Sequence, residues 1–249
     1  MLVLASACAA ASLLSFPDRA GASPASIREA FAGNRGEIGH ATTLPPVARY
    51  LIDEGGVFVL DRSSPQPLLK FEDSLEIWVL SSARGPRGDV IFKNDIGETM
   101  LRATKLGGMT VFTQHRPDGS AAALAGASTP LHLPTISPAA FIQRFFQCSL
   151  RVSRTAEHLV SFETVQDANP ATDGLIADAA GVAVEAMLAI AGRPDGKAIL
   201  SRIDKIQFAT TARPGAVLAG GVLTISVAPG QGVAGRPSSR RIQRAVGGR

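Results

Sequence analysis

Between residues 47 and 133 apolar side chains recur at every second position in short runs, a period that an extended strand turns into a face. The predicted strands are 47–52, 57–61, 68–71, 75–80, 89–93, 100–105 and 109–113, separated by turn sequences such as Asp-Glu-Gly-Gly, Gly-Pro-Arg-Gly and Leu-Gly-Gly. Val57 and Val59 oppose Phe58 and Leu60, and Ile77 and Val79 oppose Trp78 and Leu80, so both faces of these strands are apolar and each needs a cover. Strands at this spacing predict an antiparallel β-meander or partly closed barrel.

The period lengthens after Pro138. Over 138–160 a helix puts Phe141, Phe145, Cys148, Val152, Ala156 and Leu159 on one stripe and Arg144, Arg151, Arg154 and His158 on another. A second helix, 173–191, is rich in small residues, and Ala179, Ala180, Gly181 and Ala183 would let a partner backbone approach closely. Gly192 sits where a helix-ending glycine would, and a third short helix is predicted over 194–203. Strand character returns at 205–210 and 222–228, and 238–246 reads as a closing helix capped by Ser238 or Ser239. The pattern as a whole predicts an α+β fold: a β-rich half (47–133), a helical half (138–203) and a strand pair (205–228) returning to the sheet, followed by a basic tail (236–249).

The N-terminus adds location. Residues 2–14 are 13 uncharged, mostly apolar or small side chains, followed by Pro17 and the small-x-small sequence Ala20-Gly21-Ala22. Residues 1–22 therefore read as a signal peptide cleaved after Ala22, which leaves residues 23–249 as a single periplasmic or secreted domain opening with a short helix over 23–33. No later stretch reaches the length of a membrane span, because Asp178 and Glu185 interrupt the longest apolar run, 175–191. With Cys8 in the leader, Cys148 is left without an intramolecular disulfide partner.

Charge is unevenly spread. The chain has a net charge of +4, yet after Asp204 it carries seven basic residues and no acidic one. Such an end is either a solvated, partly frayed tail or a contact for an anionic envelope surface, with Arg240, Arg241 and Arg244 as the contacting residues. Nucleic acid is not an expected partner.

Few residues suggest chemistry. Asp178 and Glu185, seven apart on one helix, project from the same face and are the candidate acid and base of a hydrolase; the alternative is that they pair with Arg151 and Arg154. Arg144, Arg151 and Arg154 are candidates for an anionic surface or membrane. Phe141 and Phe145, facing Trp78 and Phe92 from the sheet, are the candidate walls of an apolar ligand pocket, though such stripes more often form core. The histidines lack metal-ligand spacing, and no cofactor or metal is expected.

The segments GGVFVLDRS (55–63), LLKFEDSLEIWVL (68–80) and RGDVIFKNDIGETMLRATKLGGMTVFT (87–113), with AGRPSSRRI (234–242) as a separate match, resemble an exported bacterial family of unknown function. The resemblance implies export and carries no activity or functional residue across. The expected function is a non-catalytic binding or envelope-interaction module whose ligand, apolar or amphiphilic, lies between sheet and helices. A hydrolase using Asp178 and Glu185, and a membrane-surface protein held by its basic C-terminal segment, are the alternatives.

Overall fold

The computed structural model describes residues 45–133, 135–165 and 169–248. The expected leader and the short helix over 23–33 lie outside these residues.

Nine strands form one antiparallel sheet: β1 (Val47–Ile52), β2 (Val57–Asp61), β3 (Leu68–Phe71), β4 (Ile77–Val79), β5 (Ser81–Arg84), β6 (Val90–Lys93), β7 (Thr99–Ala103), β8 (Met109–Val111) and β9 (Ser120–Ala127). Their order is β4-β3-β2-β1-β9-β8-β7-β6-β5. The two end strands are consecutive in the chain, joined at Leu80, so the sheet curls into a nearly closed barrel. Cross-strand pairs carry its interior: Tyr50 faces Phe58, Leu60 faces Leu69, Leu69 faces Trp78, and Phe92 faces Leu101. Paired residues point to the same face, so these ladders gather one apolar core inside the ring. Tyr50 stacks on Phe58 with ring centroids 5.0 Å apart.

The other described residues hold four α-helices, α1 (Pro138–Ala156), α2 (Pro170–Ala191), α3 (Gly196–Leu200) and α4 (Ser239–Gly247), and four strands, β10 (Ser161–Thr164), β11 (Lys205–Thr210), β12 (Gly215–Ala219) and β13 (Val222–Val227). The expected strand pair does not return to the barrel. It forms a separate sheet, β10-β11-β13-β12, in which β10, β11 and β13 run parallel and β12 is antiparallel. Helices α2 and α3 make the crossover from β10 to its parallel neighbour β11, which requires a connection of this length.

α1 starts with Ser137 accepting a hydrogen bond from Ala140 N at 3.3 Å and Pro138 in the first turn, where its missing N–H is harmless. It ends at Ala156, four residues short of the predicted end, because Glu157 turns into the left-handed region at φ 62°. His158 therefore leaves the basic stripe and folds back onto the carbonyls of Ala156 (2.9 Å) and Ile203 (2.8 Å), and Leu159 is exposed instead of buried. α2 is long and apolar enough to cross a bilayer over Ala171–Ala191, but 67% of the 18-residue apolar stretch within it is buried inside the protein. Its alanines let α1 approach, and Arg144 of α1 lies over Gly181, where a Cβ would meet Nη2 at 2.9 Å.

Candidate functional site

Two buried charges and a partly buried third join the barrel to the helices. Glu76, just before β4, interrupts the apolar run of LEIWVL and is 2% exposed, while Arg236 is 4% exposed. A buried charge is tolerated when paired and hydrogen-bonded, and both are. Arg236 Nε binds the Asp178 carboxylate from α2, Nη2 donates to the Ile77 carbonyl at 2.8 Å, and Nη1 lies 3.7 Å from Glu76 Oε1. Ser239, the first residue of α4, donates to Glu76 through its amide (2.9 Å) and its hydroxyl (2.6 Å).

The loop before Arg236 fixes its position. Ala228 N donates to the Gly235 carbonyl at 2.6 Å, and a Cβ on Gly235 would overlap the Ala228 carbonyl, so the residue there must be glycine. Beside it Asp95 accepts from Ser238 N (3.2 Å), Ser238 Oγ (2.5 Å) and Arg241 Nε (2.9 Å). Ser238 Oγ in turn caps α4 by accepting from Arg241 N at 3.1 Å. A carboxylate at this helix N-terminus also meets the positive end of the helix dipole.

Burial pushes Glu76 up to about 7, against the opposing pull of Arg236 and of Ser239. Arg236 and Asp178 already neutralise each other, so an ionised Glu76 leaves the buried cluster one charge negative and a protonated one leaves it neutral.

Glu76 and Ser239 also face a half-open cleft of about 1100 Å³ between the barrel mouth and helices α2 and α4. Ile52, Phe71, Trp78, Met100, Val111 and Phe112 supply apolar wall. The arginines on the lining are all paired with carboxylates: Arg116 with Glu54 at 2.6 Å, Arg102 with Asp89 at 2.5 Å, and Arg240 with Glu98 at 3.6 Å. Glu185 and Asp73 also line the cleft, and neither has a hydrogen bond or ion pair among the described residues. Glu185 is half-buried; Asp73 is exposed.

The residues singled out from the sequence are distributed differently from their expected grouping. Of the four aromatic wall residues, only Trp78 lines the cleft. Phe92 is inside the barrel core, and Phe141 and Phe145 belong to the other core, where Phe145 packs against Phe162 and Phe208 with centroids 6.1 and 5.2 Å apart. The helical stripe was core because α1 packs on α2 and not on the barrel. Glu185 reaches the cleft, whereas Asp178 is held by Arg236, so the two do not form an acid and base pair around one cavity; nor does Asp178 pair with Arg151 or Arg154.

The basic C-terminal segment is an ordered helix and no frayed tail. Arg241 is bound to Asp95 and Arg240 lies against Glu98, because α4 packs on α2 and β12 and presents its first turn to barrel carboxylates; Arg244 alone of the three named arginines is exposed. Cys148 is free and buried, and that burial raises its thiol pKa despite nearby Arg144 and Arg151. Among the described residues no group of three or more His, Cys, Asp or Glu is placed to hold a metal ion.

Sequence reasoning missed Glu76, Arg236, Ser239 and Asp95. The available signal was a lone acid within a strand apolar on both faces, which demands a buried partner.

The fold and cleft define a two-core α+β protein with an amphipathic cavity at the mouth of a small barrel. A family model described as a domain of unknown function (DUF4908) matches residues 27–246, and the chain belongs to that family. No curated protein and no solved structure matches it.

Proposed function

We propose that this protein is a non-catalytic binding module for an amphiphilic small molecule, held in the cleft with its apolar part against Trp78, Met100 and Phe112 and a cationic group beside Glu185. The observation that carries the reading is the cleft itself: about 1100 Å³, with an apolar wall and a rim whose arginines are already neutralised. Small-molecule sites are typically concave, mostly apolar and furnished with few polar groups. The two unpaired groups, Glu185 and Asp73, leave the surplus charge negative, and a positively charged head complements it. The module acts outside the cytoplasm, a reading supported by the apolar run 2–14 and Ala20-Gly21-Ala22.

Trp78 is the chain's single tryptophan, so its fluorescence reports the cleft directly. Titration with dodecylamine below its micellar concentration should shift Trp78 emission saturably, and dodecanoate should bind about tenfold more weakly or worse. Glu185→Gln should erase that preference while leaving the apolar contribution. No saturable change with any alkyl ligand would overturn the reading.

A further inference from the structure

Helix α1 is apolar on two faces, and only one of them is used within the described fold. Phe141, Cys148, Val152 and Ala156 are buried. Ile142, Phe146 and Leu150, spaced by four, form a second ridge on the outer side and are 67%, 63% and 38% exposed. The same ridge continues, four residues on, into Arg154. Arg151 lies on the adjoining flank, and both arginines are exposed with no carboxylate partner among the described residues. No Asp or Glu occurs anywhere in α1, and Glu157 just beyond it is held by Lys197 at 2.5 Å.

We infer that this face of α1 docks on a lipid bilayer surface carrying anionic headgroups. Ile142, Phe146 and Leu150 enter the interfacial layer while Arg151 and Arg154 meet the headgroups, the division of labour of an amphipathic helix lying in the plane of the membrane. From Ile142 to Leu150 the ridge spans nine residues, roughly 12 Å along the helix, which is enough to seat three side chains and too little to anchor irreversibly. A second copy of the chain is a poorer occupant, because α1 offers no acid to face the arginines of a symmetric partner. Arg144 takes no part, since its guanidinium lies over Gly181. The surface lies apart from the cleft-lining residues, so the inference stands or falls independently of the ligand reading.

The test is co-sedimentation of the full chain with vesicles of phosphatidylcholine alone or mixed with phosphatidylglycerol. Binding is expected to the anionic vesicles and to weaken as salt is raised. Arg151→Gln with Arg154→Gln should reduce partitioning about 30-fold, and Phe146→Ser about tenfold. Circular dichroism of each variant should match the parent, since the positions are exposed. Equal binding to neutral vesicles, no binding, unchanged binding by the double arginine variant, or a self-association that Phe146→Ser abolishes would each overturn the inference.

Discussion

The barrel and the helix-and-sheet half bury apolar side chains in opposite manners. In the barrel, aromatic and long aliphatic residues on cross-strand ladders form a core whose open end meets a cleft, and the Tyr50 hydroxyl is buried with no hydrogen-bond partner among the described residues. In the other half, Ala179, Ala180, Ala183 and Ala186 draw α2 against its neighbours, and Phe208, Ile206, Leu223 and Ile225 are fully buried beside it. Close packing leaves little room for a ligand, whereas a curled sheet with a wide mouth does. The apolar wall of the proposed binding cleft is therefore the barrel's, while the helical half closes its other side with Glu185 and is coupled to the barrel through Glu76, Arg236 and Asp178.

Removing the coupling should have an effect as large as any. Arg236→Ala leaves the buried Glu76 and the partly buried Asp178 without their shared cation and should destabilise the protein by about 3–4 kcal/mol. Urea unfolding followed separately by Trp78 fluorescence, in the barrel, and by far-ultraviolet dichroism should give two midpoints in the variant and one in the parent. A single coincident transition in the variant would show that the halves are coupled elsewhere.

Core truncation should then separate the two halves. Phe208→Ala opens a void among Phe145, Phe162 and neighbouring side chains and should cost about 3–4 kcal/mol. Met100→Ala, at the cleft wall, enlarges a space that water already reaches and should cost no more than about 2 kcal/mol. Equal losses in equilibrium unfolding would mean that the barrel interior is as tightly packed as the other core.

The smallest expected effects are titrations. Burial raises Glu76 to about 7 from 4.5, and hydrogen bonds to the carbonyls of Ile203 and then Ala156 raise His158 above its ordinary value. A group that holds its proton more tightly when folded stabilises fully below its unfolded pKa and loses that contribution as pH rises through its folded pKa. Both groups therefore make stability decline as the solution goes from mildly acidic to mildly alkaline. Denaturation midpoints at about pH 5 and about pH 8 should differ less in Glu76→Gln than in the parent. His158→Asn should remove a smaller share, and a Glu76→Gln slope equal to that of the parent would refute the role of the buried carboxyl.

Much of the strand layout could be read from local pattern, and its closure could not. The limits of β1, β2 and β3 coincide with the runs 47–52, 57–61 and 68–71, because alternating apolar residues there are bounded by turn chemistry. β5 was missed since Ser81-Ser82-Ala83-Arg84 is exposed throughout and has no apolar period. β9, Ser-Ala-Ala-Ala-Leu-Ala-Gly-Ala, looks helical by propensity, and becomes extended because β1 and β8 hydrogen-bond both its edges. The family model supports an uncharacterised domain family, as the segments at 55–63, 68–80 and 87–113 had implied. The site was less accessible: Trp78 and Glu185 were named for reasons of type and spacing, but only folding could bring Arg236 to Glu76, 160 positions earlier in the chain.

The pairing of β1 with β9 makes the barrel's first and last strands neighbours, and Ser128 N still donates to the Val47 carbonyl at 3.0 Å as the chain departs. Arrival and departure thus share one seam. A module stitched in this way can be exchanged as a cassette, or circularly permuted across that seam, without redrawing the helices. Any graft would have to supply its own carboxylates where Glu76 and Asp95 now stand.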